Sequence, residues 1–307
     1  MRTVSAWAIA ALAMLLLPGL ALAHGGHHHP AALPWQFDPL VLSLLVPSGA
    51  AFAFGAWRLQ RAGRWAVLGW PRTAAFIAGM LLLVLALLSP LDSLADRYFS
   101  AHMTQHLILM LAAPPLLVAA QPAVVWMWCL PPERRRALTR GWAAEAAPRR
   151  VLAVLLHPLV VWFATSLALW FWHLPGPYGW ALANTTVHSF EHACFFVTSL
   201  AFWYLLFAPR GRARLGYGGA ILFGVTLGIQ NGFLGAILTF ATHPFYASHS
   251  LHGGLWSLTA LEDQQLAGLI MWVPASVIHL ALLFVLCAQW IREDERRFGR
   301  AGVLNRI

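Results

Sequence analysis

Long apolar segments separated by short polar linkers run through most of the chain. A helix rises about 1.5 Å per residue, so roughly 17 to 25 apolar residues span the hydrocarbon core of a bilayer. After the first 23 residues, seven segments meet this length, near residues 37–57, 73–89, 102–128, 151–172, 188–207, 217–240 and 267–291. The short linkers leave no room for a soluble domain. The pattern predicts an all-α fold, a polytopic transmembrane helical bundle of seven spans over residues 37–291.

The first 23 residues have the pattern of a secretory signal peptide. Arg2 supplies the positive charge, residues 6–17 are apolar, and Ala21-Leu22-Ala23 offers small residues for cleavage. We predict that residues 1–23 are removed, which leaves a histidine-rich extracytoplasmic tail over residues 24–36. The alternative is an uncleaved first span.

Composition and charge agree with a membrane protein and orient it. Hydrophobic residues make up 60% of the chain and charged residues 10%, against about a quarter in soluble proteins. Eighteen of the nineteen arginines after residue 23 fall on one side of the predicted topology: Arg58, Arg61, Arg64, Arg72, Arg134, Arg135, Arg136, Arg140, Arg149, Arg150, Arg210, Arg212, Arg214, Arg292, Arg296, Arg297, Arg300 and Arg306. Positive linkers face the cytoplasm. We therefore predict a multi-pass membrane protein with its mature amino terminus outside and a cytoplasmic tail over residues 292–307. The positive charge lies in linkers beside the membrane, so the lipid bilayer is the expected partner and no nucleic acid partner is expected.

Histidines gather on the opposite side from the arginines. Twelve of the fourteen lie at or beyond the outer ends of the predicted spans. His102 and His106 open the third span, and His188 and His192 open the fifth. Residues four apart share one face of a helix. Neutral imidazole binds copper, zinc, iron and nickel. These four histidines are our first choice for a metal site, which requires the third and fifth spans to be neighbours.

Further candidate ligands surround the two pairs. Met110 continues the face of His102 and His106, and its thioether favours Cu(I). The lower-ranked candidates are Met110, Glu191 and His173, together with His24 and His27 in the exposed tail. Pro114-Pro115 is predicted to break or kink the third span below these groups. The structural alternative is that the histidines cap helix starts at the headgroup level.

Several motifs together resemble one protein family. They are His102-Met-Thr-Gln-His106 running into Pro114-Pro115, His157-Pro158, Trp172-His173-Leu-Pro175, His188 with Glu191-His192, and Asp263-Gln264-Gln265 with Gly268 and Met271-Trp272. The combination resembles the CtaG family of caa(3)-type cytochrome c oxidase assembly factors over roughly residues 35–295. The resemblance implies a non-enzymatic protein of the bacterial plasma (inner) membrane that helps to make an active haem–copper oxidase. Its implied cofactor is copper, and its implied partners are apo-oxidase subunits and periplasmic copper chaperones.

Other functions remain open on the residues alone. A zinc-dependent intramembrane hydrolase would use a bound zinc to activate water, with Glu191 or Asp263 as base. Paired histidines facing each other across a bundle could instead hold a haem. A copper permease is a third alternative, and the scarcity of ligands on the inner half argues against it. The metal found in purified protein would separate these readings.

Overall fold

The computed structural model describes residues 34–141, 147–207, 215–246 and 258–304, and these residues form helices without any strand. The α-helices are α1 Pro39–Arg61, α2 Gly69–Leu87, α3 Pro90–Ala95, α4 Phe99–Leu107, α5 Ala113–Ala120, α6 Pro122–Trp126, α7 Pro132–Gly141, α8 Ala147–Leu155, α9 Pro158–Trp172, α10 Pro175–Ala183, α11 Thr185–Phe207, α12 Tyr217–Thr239 and α13 Ala260–Leu304. A π-helical turn, Ile108–Ala112, joins α4 to α5. The predicted signal peptide and residues 24–33 of the predicted tail lie outside the described residues.

The protein is an all-α polytopic bundle, as the sequence predicts. Within the described residues, six helical segments are long and apolar enough to cross a membrane. A seventh span results if α8 and α9, which bend by 55° at a short break, are taken together. The break comes directly before Pro158, whose ring nitrogen has no hydrogen to donate to a continuing helix.

The third span, formed by α4, the π-helical turn and α5, lies at the centre of the bundle. Half of its most apolar window is buried, more than in any other span. It packs against α2, α11 and α13. The third and fifth spans are therefore neighbours, which is the arrangement that a shared histidine site requires.

The two consecutive prolines change the helix type without ending the third span. Pro114 cannot donate the usual hydrogen bond to the carbonyl of Met110, four residues earlier. The indole nitrogen of Trp203 on α11 donates to that carbonyl instead, at 3.0 Å. The predicted break at Pro114-Pro115 is thus a π-helical turn, stabilised by a side chain from the fifth span.

The end of the third span corrects the predicted boundary at residue 128. The span stops at Ala120, where Gln121 adopts a left-handed conformation with φ of 52°. The apolar residues that follow form α6, which packs against α1. The backbone of Val125 reaches α1 at Gly55, where a side chain would collide with it. Hydrophobicity alone could not separate this short returning helix from a longer span.

Side-chain hydrogen bonds to other helices anchor α4 near both of its ends. The Asp263 carboxylate on α13 accepts hydrogen bonds from the backbone N–H of Phe99 at 2.7 Å and of Ser100 at 3.3 Å, and from the Ser100 hydroxyl. The Gln105 amide nitrogen donates to the Ala86 carbonyl at 2.7 Å and to Asp92 Oδ1 at 2.6 Å. These bonds fix the position of the helix that carries the first histidine pair.

Helices α12 and α13 pack closely along their length. Their backbones approach most tightly at two glycines, because a Cβ on Gly268 would lie 2.6 Å from the Gly235 carbonyl oxygen. The polar residues of α12 face protein: Trp170 donates to Gln230 at 3.0 Å, and Asn231 donates to the Met271 carbonyl at 3.0 Å. Helix α13 thus contacts both α12 and the third span.

Candidate metal centre

The two predicted histidine pairs meet between α4 and α11. The imidazole centroids of His102 and His106 are 4.2 Å apart, and those of His188 and His192 are also 4.2 Å apart. Between the helices, His102 stacks on His188 at 5.3 Å, and His106 lies 5.4 Å from His192. The four side chains that we chose first therefore form one cluster.

Glu191 belongs to the same cluster, although sequence reasoning ranked it below the four histidines. It is completely buried. One potential ligand atom each from Glu191, His102 and His106 lies within 4.8 Å of the others. The contact between His106 Nε2 and Glu191 Oε1 measures 3.8 Å. Ligands in a tetrahedral site with bonds of about 2.0 Å are roughly 3.3 Å apart. Small side-chain rotations would close this triad around an ion.

Many ligand atoms of the cluster have no hydrogen-bond partner among the described residues. They are both ring nitrogens of His106, both carboxylate oxygens of Glu191, and the Nε2 atoms of His173, His188 and His192. More than nine in ten buried polar groups in proteins are paired, and each unpaired one costs about 1–3 kcal/mol. One bound cation would satisfy several of these atoms together. The donor set of imidazoles and a carboxylate suits a transition metal ion.

His173 lies at the edge of the cluster. Its ring centroid is 6.3 Å from that of His106. Its Nδ1 is 2.7 Å from the Leu169 carbonyl, which can only accept, so Nδ1 carries the hydrogen. The lone pair is therefore on Nε2, the buried atom that faces away from the backbone. A backbone bond of this kind commonly orients a metal-binding histidine.

Three aromatic rings cover the cluster, and sequence reasoning missed them. Tyr178 on α10 lies 5.2 Å from the His102 ring and contacts both Phe99 and Tyr246. The Tyr246 hydroxyl donates to the His173 carbonyl at 2.8 Å. Burial raises the pKa of Tyr178 well above its usual value, and the Glu191 carboxylate acts in the same direction. The phenol therefore stays protonated. Its only signal in the sequence is its position five residues after His173.

The remaining candidates lie elsewhere. Met110 lines a cavity beside the cluster together with His106. His24 and His27 lie outside the described residues. Asp263, a candidate base for the hydrolase alternative, is bound to the start of α4.

Fold and site together define a class, that of polytopic helical membrane proteins with a buried imidazole and carboxylate cluster between two spans. A family model described as "Cytochrome c oxidase caa3 assembly factor (Caa3_CtaG)" matches residues 50–293. The chain belongs to this family.

The curated relatives extend the comparison without naming an activity. Uncharacterised proteins from Mycobacterium bovis and Mycobacterium tuberculosis are each 28% identical over 288 residues, or 87% of this chain. An uncharacterised protein from Mycobacterium leprae is 28% identical over 281 residues, or 85% of this chain. The chain spans about 40% of the length of these relatives. No solved structure matches it.

Proposed function

We propose that this protein binds copper between α4 and α11 and delivers it to the apo form of a haem–copper cytochrome c oxidase in the bacterial plasma membrane. The ligands are His102, His106, His188, His192 and Glu191. The observation that carries the proposal is the concentration of buried ligand atoms without hydrogen-bond partners in this cluster. Membership of the oxidase assembly family supplies the biological context.

The chemistry of the cluster favours binding and release over catalysis. Imidazole is a good ligand for both oxidation states of copper, and nearby thioethers extend the preference to Cu(I). The arginine-rich linkers favour an orientation in which the histidine end of the bundle is outside the cytoplasm. In this arrangement, His24 and His27 in the tail collect copper from solution or from a periplasmic copper chaperone. The oxidase subunit then docks laterally in the bilayer.

Two variants and one control test the proposal. The double variant His102→Ala/His188→Ala removes one imidazole from each helix, and Glu191→Gln removes the carboxylate charge. His157→Ala removes an exposed histidine that directly precedes α9, makes no capping side-chain hydrogen bond and is far along the chain from the cluster. Each protein is purified, loaded with copper, washed with a chelator and analysed for bound metal. We expect both site variants to retain about tenfold less copper, or less still, than the wild type and His157→Ala.

The same variants are then tested in cells. The oxidase purified from cells that carry a site variant should contain less copper and have less activity than the oxidase from cells with His157→Ala. If the site variants bind copper normally and support full oxidase activity, the proposed site is wrong.

A zinc-dependent hydrolase is the second candidate, because two imidazoles and one carboxylate also form a common catalytic zinc site. His102, His106 and Glu191 provide this set. Against it, the Asp263 carboxylate, a candidate base, is held at the α4 N-terminus. Zinc in the purified protein, together with hydrolysis of a lipid ester or amide, would favour this function over copper handling.

Haem is the least compatible alternative. The ring centroid of His102 lies 4.2 Å from that of His106, 5.2 Å from that of Tyr178 and 5.3 Å from that of His188. These side chains fill the space between the two histidine pairs that a porphyrin would need.

A further inference from the structure

A small internal cavity adjoins the histidine cluster on the side toward the middle of the bundle. Three methionines line it, Met103 and Met110 from the third span and Met271 from α13. His106 and His279 line it as well. Met103 and Met271 are buried in the protein. With His173, which also lies in its wall, three thioethers and three imidazoles line one space of about 60 Å³.

The cavity differs from an ordinary methionine-filled core. Methionine is flexible and commonly fills irregular gaps between helices, which leaves no space behind. Here the space remains, and its wall also includes Thr165, whose buried hydroxyl has no hydrogen-bond partner among the described residues. A buried polar group without a partner points to a missing ligand.

The imidazoles of His106 and His279 can each present a lone pair to the cavity. His279 Nδ1 is 2.7 Å from the Ala275 carbonyl, so Nδ1 carries the hydrogen and Nε2 has the lone pair. Neither ring nitrogen of His106 is paired among the described residues. His106 belongs to the histidine cluster and also lines the cavity, so it connects the two spaces.

We propose that this cavity is a second copper position, selective for Cu(I), with Met103, Met110 and Met271 as thioether ligands and an imidazole of His106 or His279 completing the site. The proposal rests on the proposed function, since it assumes that the protein handles copper. Thioethers are soft ligands that select Cu(I) over Zn²⁺ and Cu(II), whereas imidazole and carboxylate accept all three. The cavity, with its thioethers, should therefore select Cu(I), whereas the cluster of imidazoles and a carboxylate should accept Cu(I), Cu(II) and Zn²⁺. Cu(I) passes from the cluster to the cavity by exchanging ligands at His106, with no change of oxidation state.

X-ray absorption at the copper edge tests the ligands directly. The full-length protein is labelled with selenomethionine, so that a thioether ligand becomes a selenium neighbour of copper. The protein is purified and loaded without oxygen, using Cu(I) alone. We expect copper–selenium scattering and two bound copper ions in the labelled wild type. Loading with Zn²⁺ should give no selenium scattering, because zinc should bind only at the cluster.

The matched variants exchange methionine for leucine, a volume-conserving change that a core usually tolerates at a cost below about 1.5 kcal/mol. The triple variant Met103→Leu/Met110→Leu/Met271→Leu should lose copper–selenium scattering and bind one copper ion. The control Met80→Leu/Met127→Leu changes two methionines outside the cavity wall and should behave as the wild type.

The outcomes separate the two proposals. Copper bound with only nitrogen and oxygen neighbours in the wild type refutes the cavity site and leaves the proposed function standing. Copper–selenium scattering that persists in the triple variant also refutes the cavity site. A wild-type protein that retains no copper at all refutes both.

Discussion

Asp263 on α13 should determine the stability of α4, the helix that carries His102 and His106. Its carboxylate accepts hydrogen bonds from the first two backbone N–H groups of α4, those of Phe99 and Ser100, and from the Ser100 hydroxyl. The side chain of Tyr98, the residue before the helix, makes no capping hydrogen bond at this end. Asp263 therefore does the work of a capping residue from a different helix.

The contacts give the size of the expected effect. A hydrogen bond to a charged group contributes about 1.5–3 kcal/mol, so two main-chain bonds contribute about 3–6 kcal/mol. Phe99 is fully buried, so water cannot replace the acceptor that its N–H loses, whereas Ser100 is half-buried and water could reach it. We therefore expect Asp263→Ala to lower the free energy of unfolding by about 3–4 kcal/mol. Asp263→Asn keeps one acceptor and should cost roughly half as much.

Glu262 offers a matched control on the same helix. Its carboxylate is exposed and, within the described residues, accepts hydrogen bonds from Thr259, the residue that precedes its own helix. Unfolding would be followed in detergent, by denaturant titration with tryptophan fluorescence as the signal. Asp263→Ala should also retain less copper than Glu262→Ala, because it loosens the helix that holds two ligands. Equal stability of the two variants would refute the capping role of Asp263.

Two further predictions concern packing and titration. Gly268→Ala should lower the free energy of unfolding by about 1–3 kcal/mol, because the new Cβ would lie 2.5 Å from Thr239 Oγ1 and 2.6 Å from the Gly235 carbonyl. Gly224→Ala, where the nearest atom is 3.8 Å away, should have little effect when both variants are unfolded in the same denaturant titration. Burial raises the pKa of Asp92 from 3.8 to about 6. Its ionisation therefore opposes folding, so the stability present below pH 3.8 should be lost as the pH rises through about 6. Asp92→Asn should lack this loss, and a constant difference from the wild type between pH 4 and 7 would contradict the assignment.

The sequence predicted the class of fold well because apolar length is a strong signal in a membrane protein. Backbone polar groups must be satisfied internally in lipid, so a long apolar segment is almost always a helix. The predicted end of the third span, at residue 128, was wrong because hydrophobicity does not reveal where one apolar helix stops and the next begins. Residues 122–126 are as apolar as a span, but they form a separate helix packed on α1. Only the left-handed Gln121 marks the turn between them.

The candidate site was predictable in part. The spacing of His102 with His106, and of His188 with His192, follows from helical periodicity and needs no knowledge of packing. Which spans lie next to each other depends on how side-chain shapes fit across the bundle. Helical periodicity within one segment carries no information about that fit. Glu191 is a lower-ranked candidate in the sequence. An acidic residue near a helix start is usually exposed and stabilises the helix N-terminus. Its complete burial became visible only once α4 and α11 were packed together.

Neighbouring residues on α4 show how the fold separates structural from functional polar groups. Gln105 and His106 are adjacent, and both are buried. The Gln105 amide nitrogen donates to two partners that join α4 to α2 and α3, whereas His106 has no hydrogen-bond partner among the described residues. A buried polar group that builds structure is normally paired, because leaving it unpaired costs stability. His106 and Glu191 bear that cost at both of their ring nitrogens and both of their carboxylate oxygens, whereas Gln105 bears it at its Oε1 alone and its amide nitrogen, like the Asp263 carboxylate, holds the surroundings in place. This division is expected where ligands must stay available for an ion that arrives and leaves, and it favours a transport site over a structural one.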